Sequence, residues 1–269
     1  MDPVTRHAVT VQGPLDAPPL VFAHGFGCDQ SMWRHVAPMF ADRHRVVTFD
    51  FAGAGGSDPA AYDPDRHRHL DGYAADLLDV LQALDLRDVV LVGHSVAAMI
   101  GALATIAEPE LFAGLVMVGP SPRYLDDDGY TGGFTREDID ELLSSLASNY
   151  LGWSAAMAPA IVGNPDRPEL GHELTAAFCR THPDVARRFA EATFLSDNRA
   201  DLPHVAVPAL VLQCREDVIA PVEVGTYVAE QLPDATLVVL DAIGHCPQLS
   251  SPELTADAIR AWLDEQAAA

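Results

Sequence analysis

Six short apolar runs, none with polar residues alternating inside it, recur along the chain between stretches of helical period. They are Pro19-Leu20-Val21-Phe22-Ala23-His24, Arg45-Val46-Val47-Thr48-Phe49-Asp50, Val89-Val90-Leu91-Val92, Leu115-Val116-Met117-Val118, Ala209-Leu210-Val211-Leu212-Gln213 and Thr236-Leu237-Val238-Val239-Leu240. A strand covered on both faces has no reason to alternate, and strands separated by helices pair in parallel. The pattern therefore predicts an α/β protein with a mainly parallel sheet and helices on both faces. Between the runs, Leu70, Tyr73, Ala74, Leu77, Leu78, Leu81 and Leu84 share one helical stripe. Helices are also expected around Met32 to Phe40, from Val96 to about Ala107, near 221–231 and from Pro252 onward. The last should turn Leu254, Ala258, Ile259, Trp262 and Leu263 inward.

From about 121 to 200 the rhythm breaks. Thr135 and Asp138 have the spacing of an N-cap pair, and Ile139, Leu142, Leu143 and Leu146 follow at helical intervals. Further helices are expected near 154–162, 168–180 and 184–195, punctuated by Pro159, Pro165, Pro168 and Pro183. Four helices with no strand between them predict a cap inserted in the sheet domain. Residues 1–120 and 201–269 then form the core domain, and 121–200 the cap.

Composition narrows the partners. A formal net charge of −23 disfavours nucleic acid and anionic membranes, both of which need a positive footprint. No stretch has the 18 or so consecutive apolar residues of a spanning helix, and Met1-Asp2-Pro3-Val4-Thr5-Arg6-His7 lacks the apolar region of a secretory signal. The cysteines at 28, 179, 214 and 246 form no CxxC pair, which fits reduced thiols. A cytoplasmic protein is expected, and a monomer.

The chemistry centres on Gly93-His94-Ser95-Val96-Ala97, set between a strand and a helix. That context turns a G-x-S-x-G-like pattern into a nucleophile elbow, with the Ser95 hydroxyl raised above the sheet. The final glycine is Ala97 here, the smallest side chain that can replace it. His245 follows the last strand and is placed to take the Ser95 proton. Asp217 follows the 209–213 strand and is placed to orient the imidazole, with neighbouring Glu216 as the alternative acid. In His24-Gly25-Phe26-Gly27, the backbone N–H of Phe26 is expected to join that of Val96 in holding an oxyanion. His24 is expected to brace the glycine loop, and His94 to fill the variable elbow position.

Two other readings fail on spacing. Phe51-Ala52-Gly53-Ala54-Gly55-Gly56 lacks the G-x-G-x-x-G order of a dinucleotide loop. His67-Arg68-His69 and His245-Cys246 lack the converging carboxylates or thiols of a metal shell. No metal and no cofactor are expected.

The chain also resembles the RsbQ-type α/β-hydrolases of bacterial stress signalling, which are related to the plant strigolactone and karrikin receptors. The resemblance is nearly end to end. It is carried by His24-Gly25-Phe26-Gly27-Cys28-Asp29-Gln30-Ser31-Met32-Trp33, by Ser95-Val96, and by Val118-Gly119-Pro120-Ser121-Pro122-Arg123-Tyr124-Leu125. Further matches are Gly132-Gly133-Phe134, Asn149-Tyr150-Leu151-Gly152-Trp153, Phe194-Leu195-Ser196-Asp197-Asn198-Arg199 and Gly244-His245-Cys246-Pro247-Gln248-Leu249-Ser250. It implies the α/β-hydrolase fold with a V-shaped four-helix cap over a hydrophobic pocket. By motif position the pocket is lined by Phe26, Phe134, Trp153, Phe194 and Ile219. It further implies slow cleavage of a small hydrophobic ester or lactone, and in the bacterial relatives a sensor-phosphatase partner that controls a stress sigma factor. A serine hydrolase with its own small ester or lactone substrate is the first reading, the signalling hydrolase the alternative, and a haloperoxidase or lyase a third.

Overall fold

Seven strands form the centre of the protein: β1 (Thr10–Gln12), β2 (Pro19–Ala23), β3 (Arg45–Thr48), β4 (Val89–His94), β5 (Phe112–Val118), β6 (Ala209–Glu216) and β7 (Ala235–Ile243). Their order in the sheet is β1-β3-β2-β4-β5-β6-β7. Among the described residues, only β1 runs antiparallel to its neighbour, and every other pairing is parallel. The computed structural model describes residues 2–268, so Met1 and Ala269, the outer ends of the expected core segments, lie outside the described residues.

Ten α-helices are described: α1 (Pro3–Arg6), α2 (Leu70–Ala83), α3 (Val96–Ala107), α4 (Arg136–Ser148), α5 (Tyr150–Val162), α6 (Pro168–Phe178), α7 (Pro183–Phe194), α8 (Val222–Gln231), α9 (Pro247–Ser250) and α10 (Pro252–Ala268). Successive strand residues point to opposite faces, which explains the lack of polar alternation. Val21, Val47, Leu91, Leu115 and Val211 pack with α2, α3 and α8, whereas Leu20, Phe22, Val46, Val92, Val116 and Leu210 pack with Trp33, Phe40 and α10.

Two local expectations need correction. Residues 32–40 form two separate 3-10 turns, Gln30–Trp33 and Ala37–Phe40, in place of one helix. Pro38 has no N–H to donate, and its ring would strike the carbonyl one turn back in a continuous helix. On α10 the buried stripe runs through Ala256, Ile259 and Trp262, and Leu254 is 39% exposed. The short elements α1 and β1 went unpredicted. Residues of β1 are exposed or half-buried, so they carry no apolar signature.

The cap is α4 to α7, inserted between β5 and β6. Thr135 and Asp138 do form a capping box at the start of α4. The helices pair as α4 with α7 and α5 with α6. The chain enters and leaves the cap side by side: Asn198 N–H donates to the Pro122 carbonyl at 2.7 Å. Arg123 and Arg199 both pair with Asp127 and Asp197 across that junction. Among the described residues, no helix is long and apolar enough to cross a membrane.

Candidate active site

The turn between β4 and α3 consists of one residue. Ser95 takes φ 57° and ψ −123°, a left-handed backbone that a non-glycine residue adopts only under constraint. Its N–H donates to the Val118 carbonyl at 2.8 Å, and its own carbonyl accepts from Ala98 at 2.9 Å. A Cβ on Gly93 would lie 2.5 Å from the Ala97 carbonyl oxygen, so the first turn of α3 closes directly over that glycine. Ala97 is itself fully buried; its methyl group is accommodated where the common motif has glycine. Val96 opens α3, so its N–H has no intrahelical acceptor and stands at the positive end of the helix.

The other two predicted residues meet Ser95 there. The Ser95 hydroxyl donates to His245 Nε2 at 2.7 Å, and His245 Nδ1–H donates to Asp217 Oδ2 at 2.7 Å. The second Asp217 oxygen accepts the N–H groups of Ile219 at 2.8 Å and Ala220 at 3.1 Å. Burial alone pushes the Asp217 carboxyl up. Attraction to His245, the bond to it and the two backbone donors outweigh burial and hold it below the usual carboxylate range. Glu216, the alternative acid, is exposed and contributes its backbone carbonyl, which accepts from Gly244 at 2.7 Å. Asp217 is therefore the acid of the triad.

His245 is also gripped through its main chain. Its N–H donates to the Ile161 carbonyl near the end of α5 at 2.8 Å, and its carbonyl accepts from His94 Nε2 at 2.8 Å. The first bond ties the base to the cap and the second to the elbow. His24 braces the glycine loop: Nδ1–H donates to the Gly25 carbonyl at 2.9 Å, and Nε2 accepts from Phe51 N–H at 3.1 Å.

A narrow cavity of about 30 Å³ opens beside Ser95 and His245. Phe26, Trp153, Phe194 and Ile219 border it, as do Tyr124, Leu142, Met157, Leu174 and Phe178, which were not foreseen. The Phe26 ring lies 6.1 Å from Trp153, 6.0 Å from Phe178 and 5.9 Å from Phe194. Phe134 is absent from this lining. Its ring packs 6.5 Å from both Tyr124 and Phe194, against residues that border the cavity themselves. Tyr124 brings its hydroxyl to 3.5 Å from Ser95 Oγ. Cys28 and Cys246 also face the cavity, but burial pushes both thiols up, which leaves them protonated and unreactive beside the activated serine. A larger polar depression of about 600 Å³ between α2 and α7 includes no triad residue. The apolar cavity is the candidate substrate site because it holds the nucleophile.

Several buried imidazoles make stability depend on pH. Burial lowers the pKa of His7, His24 and His94, in the last case to about 3. As pH falls below about 6.5 the unfolded chain binds protons that the native protein refuses. The stability associated with these groups is complete above that pH and is lost on acidification, continuing to about pH 3 for His94. Each group adds at most about 1.4 kcal/mol per pH unit. The depressed carboxyl of Asp217 acts in the same direction at lower pH. Urea midpoints should fall from pH 7.5 to pH 5.5, and a flat profile would contradict these burial effects.

A serine activated by a buried His-Asp pair, standing on a strand-to-helix elbow above a parallel sheet, defines a serine hydrolase. Residues 20–258 match the Alpha/beta hydrolase family, and the chain belongs to it, in the branch of the strigolactone and karrikin receptor esterases. It is 43% identical over 249 residues to a probable esterase of Oryza sativa subsp. japonica, covering 92% of each chain. To a karrikin insensitive 2 receptor of Petunia hybrida it is 42% identical, over 87% of each. The solved structure of a hydrolase from Oleispira antarctica superposes with a TM-score of 0.95 at 37% identity, over 98% of this chain and 96% of that one.

Proposed function

We propose that this protein cleaves the ester or lactone bond of a small hydrophobic substrate through an acyl-enzyme. The observation that carries this reading is the unbroken series Asp217, His245, Ser95, linked at 2.7 Å and 2.7 Å and ending in an aromatic cavity. His245 Nε2 takes the hydroxyl proton as Ser95 Oγ attacks the carbonyl carbon. The backbone N–H groups of Phe26 and Val96 hold the oxyanion, and the imidazolium returns its proton to the departing alkoxide. Water deprotonated by His245 then attacks the acyl-serine and releases the acid. No cofactor takes part.

In this reading Phe26, Trp153, Phe194 and Ile219 contact the substrate, with Phe134 supporting that wall from behind. Residues 121–200 act as the cap unit on a core of 1–120 and 201–269. A cavity of about 30 Å³ is small beside the sites of about 300–1,000 Å³ that hold drug-sized ligands. A substrate of several carbons therefore enters with movement of the cap or its aromatic side chains. The protein works as a monomer in the cytoplasm.

A second reading is a signalling hydrolase that turns over slowly and acts through a partner, a sensor phosphatase of a stress sigma-factor pathway. The likeness to the petunia receptor and to the RsbQ-type motifs favours it. Steady-state hydrolysis of short-chain esters, aromatic esters and small lactones separates the two. Turnover of about 1–10³ s⁻¹ on one compound supports the metabolic esterase. Slow, Ser95-dependent turnover throughout supports the signalling hydrolase. Hydrolysis that survives Ser95→Ala overturns both.

A further inference from the structure

We propose that His94 is a positioning residue, whose imidazole fixes the catalytic histidine, the elbow and the glycine loop in mutual register. The proposal rests on the hydrolase reading and assigns a role to a side chain that the acyl-enzyme steps do not use.

His94 stands at the end of β4, immediately before Ser95, and is 2% exposed. Its Nε2–H donates to the carbonyl of His245 at 2.8 Å, joining two points 151 residues apart in the chain. That carbonyl can only accept, so the bond requires hydrogen on Nε2. The two rings are 5.0 Å apart, and the Trp33 ring stands nearly perpendicular to that of His94, with centroids 6.5 Å apart. The glycine loop presses on the same ring: a Cβ on Gly25 would approach His94 Nδ1 to 2.7 Å. One imidazole thus touches the His245 loop and the glycine loop and directly precedes the elbow serine.

The bond acts on a coordinate that the triad's own hydrogen bonds leave free. Asp217 and Ser95 orient the His245 ring, but they do not locate its Cα. The main chain of His245 is held by Ile161 at the N–H and by His94 at the carbonyl. An aliphatic side chain at 94 would fill the volume and leave a buried carbonyl without a donor. The loop would then relax, and a displacement of about 1 Å costs on the order of 10²-fold in rate.

Hydrolysis of p-nitrophenyl acetate by wild type, Ser95→Ala, His94→Leu, His94→Gln and His94→Asn tests this, with thermal midpoints for each. The Gln amide nitrogen reaches to the depth of Nε2 and the Asn nitrogen only to that of Nδ1. His94→Leu should lose about 10²-fold in kcat with KM within about twofold, and His94→Gln should recover at least tenfold over His94→Leu. Should His94→Leu fail to fold, His94→Gln must still exceed His94→Asn by about tenfold; equal rates would overturn the proposal. Wild-type turnover that is Ser95-dependent and within threefold in a folded His94→Leu overturns the positioning role alone. Absence of Ser95-dependent turnover in the wild type overturns the hydrolase reading and this role with it.

Discussion

Ser95→Ala should lower kcat by about 10⁴-fold or more on any ester that the wild type hydrolyses, while KM changes only a few-fold. The hydroxyl donates to His245 Nε2 and makes no other bond shorter than its 3.5 Å approach to Tyr124, so its removal disturbs little besides the reaction. His245→Ala should cost about as much, and the double variant little more than either alone. Residues that act as one unit do not lose activity additively. Asp217→Asn leaves the packing intact but offers His245 Nδ1 an amide in place of a carboxylate, and should cost about 10²-fold or more. Initial rates on a single activated ester, with circular dichroism as the control for folding, check all four variants. Comparable loss of structure and activity in each would point to a folding defect.

Gly244→Ala should be nearly as damaging, although residue 244 touches no substrate. Gly244 has φ +90°, a conformation that strains any L side chain, and an added Cβ would overlap the Val162 carbonyl oxygen at the end of α5. Relief requires the His245 loop and the cap helix to part. That separation stretches the bond from His245 N–H to the Ile161 carbonyl and moves the base away from Ser95. A loss of about 10²-fold or more in kcat is expected, with a stability loss of about 3 kcal/mol from backbone strain and disrupted packing. Urea denaturation beside ester hydrolysis measures both. Wild-type kinetics in this variant would show that the tie between cap and catalytic loop carries no weight.

The triad was legible because each member sits just past a strand whose sequence is unmistakable, and a parallel sheet delivers such positions to one edge. The order Ser95, Asp217, His245 then assigned the roles. Glu216 stayed open until the structure showed Asp217 bonded to the imidazole and Glu216 facing solvent. Much of the cavity wall was less legible. Trp153, Met157 and Ile161 on α5, and Leu174 and Phe178 on α6, form stripes that repeat every four residues. Which stripe faces Ser95 depends on how the cap docks, and helical period carries no such information. Tyr124 lies in a loop with no period at all. Phe134 was assigned by motif position, and whether its ring borders the cavity or packs beside Tyr124 and Phe194 is below what a motif can resolve. The grip of His94 on His245 joins residues 151 apart, a contact only the fold creates.

The most direct test of the central claim is to trap the acyl-enzyme. The protein is mixed with a slowly deacylating ester, quenched in acid within milliseconds to seconds, and examined by intact mass and peptide mapping. A mass increase equal to the acyl group, confined to the peptide carrying Ser95 and absent from Ser95→Ala, is the predicted result. Turnover with no adduct under these conditions, or an adduct on Cys28, Cys246 or any residue other than Ser95, would contradict Ser95 as the nucleophile.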